Sequence, residues 1–149
     1  MSQPTNMSPA GLDLLKRSEG FRGFRYIDVN GNPTQGYGHK LRPGESYPLL
    51  TESQAATLLL MDVRIAVQAV LRLVKVPLSQ GQLDALADFT FNLGAGRLAG
   101  STLLKDLNAG GYASAGEQLL LWNHAGSVEL EALRARRLAE YNLWRGLPA

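Results

Sequence analysis

The segment "TESQAATLLLMDVRIAVQAVLRLVKV", residues 51–76, contains neither glycine nor proline and is followed directly by Pro77. Its first four residues, Thr51 to Gln54, fit a capping box, which predicts the start of a helix. A helix of about 24 residues would be roughly 36 Å long, enough to join two lobes. Its apolar positions are too numerous for a fully exposed helix, so we expect part of it to be buried.

On the N-terminal side of this helix, the sequence predicts a short helix and a small hairpin. Ser8-Pro9 is typical of a helix start, and Gly20 predicts the helix end directly after Glu19. The hairpin would be formed by "FRYIDV", the turn "NGNP" and the returning "TQGYGH", with a second turn in "RPGESYP". Such a small β region is not stable alone and must pack on helices.

On the C-terminal side, the pattern is helical to the end of the chain. A second capping box at 79–82 opens "LDALADFTFNLG", and further helical patterns follow at 101–109, 113–122 and 129–145. We therefore predict an α+β, mostly α fold in a single domain, residues 1–149. The expected parts are a hairpin lobe (18–50), a linking helix (51–76) and a helical lobe (1–17 and 77–149).

Composition excludes several classes of protein. The 149 residues are 45% hydrophobic and 19% charged, as in globular proteins, and no stretch is apolar enough for a membrane span. The absence of cysteine excludes disulfides, zinc–thiolate sites and a cysteine nucleophile. With only His39 and His124, a catalytic zinc site is not expected, and we predict neither metal nor cofactor.

Basic residues are concentrated near the C-terminus, although the net charge is only +2. Arg134, Arg136, Arg137 and Arg145 fall within the last sixteen residues. They form either a solvated helix face or a surface that attracts an anionic polymer. No interleaving of basic and aromatic residues points to nucleic acid, which we do not expect as a partner.

Glu19, Asp28 and Thr34 are the candidates for catalysis. A glutamate packed among Phe21 and Phe24 would lose hydration, which favours the protonated form that a general acid needs. Asp28, in a turn that water reaches, would stay ionised, and two such carboxyl groups can cleave a glycosidic bond. The alternative is purely structural: a helix-end acid, an Asx-turn residue and an ordinary strand threonine.

The sequence "EGFRGFRYIDVNGNPTQGYGH", residues 19–39, resembles the phage-type lysozymes, glycoside hydrolase family 24. The family pattern is a glutamate, eight residues, an aspartate, five residues and a threonine, followed by Gly-x-Gly-His. Similar stretches follow over most of the chain: "LTESQAATLLLMDV", "VPLSQGQLDALADFTFNLGAGRLAGSTLL", "LLLW" and "LRARRLAEYNLW". The combination is much more specific than any one of these stretches.

The resemblance implies an endolysin-type muramidase that cleaves the β-1,4 bond between N-acetylmuramic acid and N-acetylglucosamine in peptidoglycan. Glu19 would be the general acid, and Asp28 and Thr34 would position the attacking water. The family is inverting, which predicts carboxyl groups about 6.5–9.5 Å apart. The resemblance and the glycine content also suggest substrate-binding residues, namely Gly36, Phe91 and Asn92. Phe91 and Trp122 would equally suit a core.

This chain departs from the family pattern at two positions. Gln35 stands where an apolar residue usually follows the threonine, and it would be accommodated if it were exposed. Ala135 interrupts the usual arginine run. Arg134 and Arg137 share a helix face, so one of them could reach Glu19 or form only a surface pair. His39 is expected to pair with an unidentified carboxylate of the other lobe.

The expected partner is bacterial peptidoglycan, and we expect a monomer. The opening "MSQPTNM" lacks the pattern of a signal peptide, so we expect synthesis in the host cytoplasm and passage to the periplasm through a separate, holin-like pore. A virion-mounted entry lysin remains open. Rival functions are a lytic transglycosylase, which needs only the acid, and a non-catalytic wall-binding or virion scaffold module.

Overall fold

The computed structural model describes residues 2–125 and 128–149. The elements follow in the order α1 (Pro9–Glu19), β1 (Arg22–Ile27), β2 (Pro33–Gly36), β3 (His39–Lys40), α2 (Glu52–Leu73), α3 (Gln80–Leu93), α4 (Ala95–Ala99), α5 (Thr102–Asn108), α6 (Tyr112–Leu119), β4 (His124–Ala125), β5 (Val128–Glu129) and α7 (Glu131–Trp144). The predicted α+β, mostly α fold is confirmed. The turn predicted around "NHAGS" includes residues 126 and 127, which lie outside the described residues.

Local sequence signals set the starts of the main helices. The Ser8 side chain accepts a hydrogen bond from the backbone of Gly11, and both predicted capping boxes are formed, at Thr51 and at Ser79. Each satisfies backbone N–H groups that have no partner within the helix. Gly20 ends α1 with a φ of 71°, directly after Glu19.

Helix α2 is shorter than predicted and ends at Leu73 instead of residue 76. The Asn108 side chain accounts for this end. Its amide donates to the Leu73 carbonyl at 3.0 Å, and its oxygen accepts from the Lys75 backbone N–H at 2.7 Å. These bonds replace the helical ones, so the chain leaves the helix here. Sequence patterns did not reveal a cap supplied from 35 residues away along the chain.

The first three strands form an antiparallel sheet in the order β1–β2–β3. Tyr26 lies opposite Thr34, which in turn lies opposite Lys40. Because directly opposed residues share a face of the sheet, these three side chains form a row. The neighbouring Gln35 is fully buried, so the expectation of an exposed residue was wrong. Its amide donates to the carbonyls of Gly23 and Tyr47, which ties the sheet together.

The main core lies among the helices. Helix α3 is buried over its whole central stretch, residues 83–90, because it packs against both α2 and α7. Helix α2 also contacts β2 and β3, so it carries the sheet on one end and the helical core on the other. The short α4, flanked by Gly94 and Gly100, was not predicted from the sequence. This arrangement brings the end of α1, the sheet, α3 and α7 together.

Candidate functional site

Glu19 is the last residue of α1, and its side chain is 19% exposed. Its Oε2 accepts a hydrogen bond from Arg136 Nη1 at 2.6 Å. The aromatic environment expected for Glu19 was wrong for Phe24, which is 69% exposed. Phe21 packs at the Tyr37 ring, with centroids 5.6 Å apart. The observed partner of the carboxyl group is a cation, Arg136.

The arginine that reaches Glu19 is Arg136, whereas the sequence offered Arg134 or Arg137, with a surface pair as the alternative. Arg134 is exposed and lies 3.9 Å from Glu131, one turn earlier on the same helix. Arg137 is fully buried and turns into the helical core. Arg134 thus forms only a surface pair, which was the alternative. Arg136 could not be identified from the sequence because the inward face of α7 carries charged side chains, so hydrophobic spacing does not reveal the orientation of the helix.

Arg136 is held from its other edge by Asp88 of α3. Its Nε and Nη2 donate to the two Asp88 oxygens, both at 2.9 Å, a paired arrangement that is among the stronger protein hydrogen bonds. Asp88 is fully buried and Arg136 is 7% exposed. Burial disfavours the charged form of both Asp88 and Arg136, yet the charge of each stabilises the charged form of the other. The pKa of Asp88 is lowered and that of Arg136 is raised.

Asp28 lies at the turn between β1 and β2, where its carboxylate organises the backbone. Its Oδ1 accepts from the backbone N–H groups of Asn30 and Asn32, at 2.9 and 2.8 Å. The N–H of Asn32 is the main cause of a lowered pKa at Asp28; desolvation opposes it and the N–H of Asn30 adds to it. The carboxylate therefore stays ionised, as expected. The structural interpretation, an Asx turn, holds at the same time.

Thr34 is connected to Asp28 through Asn32. The Thr34 hydroxyl donates to the Asn32 carbonyl at 2.9 Å, while the Asn32 side chain donates to Asp28 Oδ2 at 3.4 Å. Thr34 is only 2% exposed, so this hydroxyl is fixed. With its proton committed, its oxygen can still accept a hydrogen bond. The predicted pair of Asp28 and Thr34 is thus brought together by a shared turn.

Tyr26 was not singled out from the sequence, although it lies near the end of β1, two residues before Asp28. Burial and the nearby carboxylates of Glu19 and Asp28 raise the pKa of its phenol, which Arg22 opposes. The Arg22 guanidinium lies over the Tyr26 ring, 4.5 Å from its centroid. The charges of both candidate carboxyl groups therefore act on Tyr26.

The two glycines after Thr34 have different neighbours. Gly36 has a φ of 71° and is buried, and a Cβ there would lie 3.1 Å from Ala55 Cβ of α2. Packing against α2 is sufficient to explain a glycine at position 36, and the substrate-binding role of Gly36 stays a prediction. Gly38, with a φ of 68°, faces the Glu19 carboxyl, whose Oε1 would overlap any Cβ at this position. Gly38 is therefore the glycine that makes room for Glu19.

A cavity of about 280 Å³ lies between the sheet and part of the helical region, and Gly38 and Lys40 line it from the side of the sheet. Phe91 lines it from α3, and its substrate-binding role stays a prediction. Asn92 Oδ1 accepts from Arg137 at 2.9 Å, so its amide N–H group is what it can offer to a ligand. Trp122 packs edge-on against Phe89 at 5.4 Å, in keeping with a core role.

His39 pairs with two carboxylates. Its Nδ1 lies 2.7 Å from Asp62 of α2, and its Nε2 lies 2.9 Å from Glu45. Asp62 lies on the linking helix and not in the predicted helical lobe, so the expected position of the partner was wrong. Burial disfavours the imidazolium, but the hydrogen bonds to Asp62 and Glu45 prevail and raise the pKa of His39. The pair joins the sheet to α2.

The site contains two carboxyl groups of different character, and Gly38, which Glu19 faces, also lines the cavity. Glu19 is tethered to a guanidinium, and Asp28 is ionised and connected to a hydroxyl group. Among residues 2–125 and 128–149, no cluster of three potential metal ligands is found. Within the same ranges, no helix is both long and apolar enough to cross a membrane. Two carboxyl groups of this kind suit acid–base chemistry, and their separation of about 6.5–9.5 Å stays a prediction.

Comparison with known proteins gives a consistent answer. The family model for phage lysozyme matches residues 16–140. The chain is 39% identical over 142 residues to the endolysin of Salmonella phage P22, covering 93% of this chain and 97% of that protein. It is 38% identical over 141 residues to the endolysin of Bacillus phage B103, covering 93% of this chain but spanning only about half of that relative, 54%. The muramidase domain of SpmX from Asticaccaulis excentricus superposes with a TM-score of 0.87 at 33% identity, covering 95% of this chain and 98% of that domain.

Proposed function

Because the chain belongs to the phage lysozyme family, we propose that it is an endolysin-type muramidase. It would hydrolyse the β-1,4 bond between N-acetylmuramic acid and N-acetylglucosamine in bacterial peptidoglycan. The observation that carries the proposal is the placement of Glu19, beside Gly38 and on Arg136, at the edge of the cavity between the sheet and the helices. The SAR-endolysin of Escherichia phage Mu, 38% identical over 119 residues, belongs to the same group of relatives.

In the proposed reaction, Glu19 gives its proton to the glycosidic oxygen as the bond from that oxygen to the sugar carbon breaks. Water attacks the carbon from the opposite face, and its proton passes to Asp28. The lowered pKa of Asp28 supports this role, since a base must be ionised. Thr34 accepts a hydrogen bond from the water, because its own proton is given to Asn32. The configuration at the sugar carbon is inverted.

The cavity and the surface charge are consistent with a large anionic polymer as substrate. Phe91 offers a flat apolar surface for a sugar ring, and the Asn92 amide can donate to an acetamido oxygen. Arg134 and Arg145 are exposed and would attract the carboxylates of the stem peptides. We propose that the enzyme acts as a monomer on the wall of the bacterial host, which it reaches through a separate holin-like pore.

Reducing-end release from purified peptidoglycan tests the proposal, with wild-type protein, Glu19→Gln and Asp28→Asn. We expect release by the wild type and at least a hundredfold less by both variants. The matched control is Glu52→Gln, which changes an exposed glutamate at the start of α2 and should leave the rate unaltered. Nuclear magnetic resonance of the first products should show inverted anomers.

Each rival function predicts a different result. Products that end in 1,6-anhydro sugars would identify a lytic transglycosylase instead of a hydrolase. Wall binding without any release of reducing ends would identify a scaffold or binding module. An Asp28→Asn variant as active as the wild type would leave Glu19 as the acid but would remove Asp28 from the mechanism.

A further inference from the structure

Asp88 is a buried carboxylate for which the proposed mechanism has no use. It lies in the middle of α3 and is fully buried. Buried charges are costly, so an aspartate at such a position calls for a partner. Its partner is Arg136, bound through two parallel hydrogen bonds of 2.9 Å.

The geometry divides the Arg136 guanidinium between two carboxyl groups. Its Nε–Nη2 edge is used by Asp88, and the remaining Nη1 points to Glu19 at 2.6 Å. Because the guanidinium is planar, fixing one edge also fixes the direction of the third nitrogen. Asp88 therefore determines where Arg136 holds the Glu19 carboxyl, from the rigid interior of a helix.

The charges of these three groups matter as much as their positions. A general acid must carry a proton when it acts, yet a guanidinium alone favours the ionised form of a neighbouring carboxyl. If Arg136 had only Glu19 as a partner, protonating Glu19 would leave a buried cation without a counter-charge, which is strongly unfavourable. With Asp88 in place, Arg136 remains paired when Glu19 takes up its proton.

We propose that Asp88 is a positioning residue for the hydrolysis, which fixes Arg136 against Glu19 and neutralises its charge so that Glu19 can be protonated between turnovers. This inference rests on the proposed role of Glu19 as the general acid. Asp88 itself touches neither substrate nor water in the reaction and acts only through Arg136.

A second buried pair lies beside Asp88. Glu140 of α7 is fully buried and is bound by Arg137, whose Nη2 donates to Glu140 Oε2 at 2.8 Å and whose Nε lies 2.7 Å from Oε1. Burial and the neighbouring Asp88 carboxyl raise the pKa of Glu140, which Arg137 only partly offsets. Glu140 and Arg136 are among the causes that hold the pKa of Asp88 below its usual range against the effect of burial, so Asp88 retains the negative charge that Arg136 requires.

The test is the pH dependence of reducing-end release by wild-type protein, Asp88→Asn and Asp88→Ser. Without the charge of Asp88, Arg136 acts on Glu19 unopposed, so the alkaline limb of the rate profile should move to lower pH by about one unit, with KM unchanged. The serine variant removes the charge without placing an amide N–H group against the guanidinium, in case the asparagine variant does not fold. Asp88→Glu retains the charge and should keep the wild-type limb, with a lower kcat because Arg136 is displaced.

Asp84→Asn is the matched control. Asp84 lies one turn earlier on α3, is 2% exposed and binds Ser8 and Gln80, away from Glu19. This variant should lose stability and keep the wild-type pH profile; thermal unfolding gives a temperature at which all variants are folded. A wild-type limb in both neutral Asp88 variants, or an equal shift in Asp84→Asn, would refute the inference. Failure of the proposed function is distinguishable, because wild-type protein would then release no reducing ends or Glu19→Gln would remain active.

Discussion

Gly38→Ala should inactivate the enzyme while the fold is retained. Gly38 has a φ of 68°, which alanine adopts only under strain. The added Cβ would overlap Glu19 Oε1, so one of the two groups has to move. Glu19 is the end of a flexible side chain, but its other oxygen is held by Arg136 at 2.6 Å. We expect the carboxyl to be displaced from its present position.

The size of the effect follows from these two contributions. The left-handed backbone costs an alanine about 1–2 kcal/mol in the free energy of unfolding. Displacing the general acid by about 1 Å is expected to reduce kcat roughly a hundredfold. The stability loss is ordinary for a glycine in this conformation, whereas the loss of kcat depends on the contact with Glu19.

Gly44→Ala separates the two contributions. Gly44 lies in the same part of the chain with a φ of 84°, and a Cβ there has no atom within 4 Å. The Gly44→Ala variant should lose as much stability in urea unfolding as the backbone conformation costs Gly38→Ala, with kcat unchanged in the reducing-end assay. If Gly38→Ala turns over as fast as Gly44→Ala, then Glu19 tolerates displacement and the geometry assigned to it is not needed for catalysis.

Three further predictions concern stability, measured by urea unfolding. Gln35→Leu should cost about 2–4 kcal/mol, because two backbone carbonyls lose the buried amide that now satisfies them; a loss below 0.5 kcal/mol would contradict this. The pKa of Glu45 is lowered to about 2, chiefly by the Arg42 backbone N–H. The ionised carboxylate therefore stabilises the fold at pH values above the ordinary pKa of a glutamate, and this stabilisation is lost as the pH falls through 2. Glu45→Gln should therefore destabilise by about 1–2 kcal/mol at pH 6 and very little at pH 2, and an equal loss at both would refute the assignment. Ser79→Ala should cost about 1 kcal/mol through the lost cap of α3, against no change for the exposed Ser53→Ala.

Much of the fold could be predicted because its signals are local. The caps at Ser8, Thr51 and Ser79 satisfy backbone groups within one turn, so residue types at fixed spacing are sufficient to predict them. The end of α1 at Gly20 is equally local, and it places Glu19 correctly. The turn that joins Asp28 to Thr34 depends on hydrogen bonds over six residues or fewer. Such features can be predicted without knowledge of the tertiary structure.

The surroundings of Glu19 could not be predicted, because they come from residues far away in sequence. Arg136 is 117 residues from Glu19 and 48 from Asp88, and no local pattern links the three. Hydrophobic periodicity normally shows which face of a helix is buried, but the inward face of α7 carries Arg136, Arg137 and Glu140. Residue types and spacing thus determined the helices, the turn and the candidate carboxyl groups. Only the packing of α1, α3 and α7 decided which cation holds the acid and which buried carboxylate balances that cation, because charge pairing depends on distance in space and not on distance along the chain.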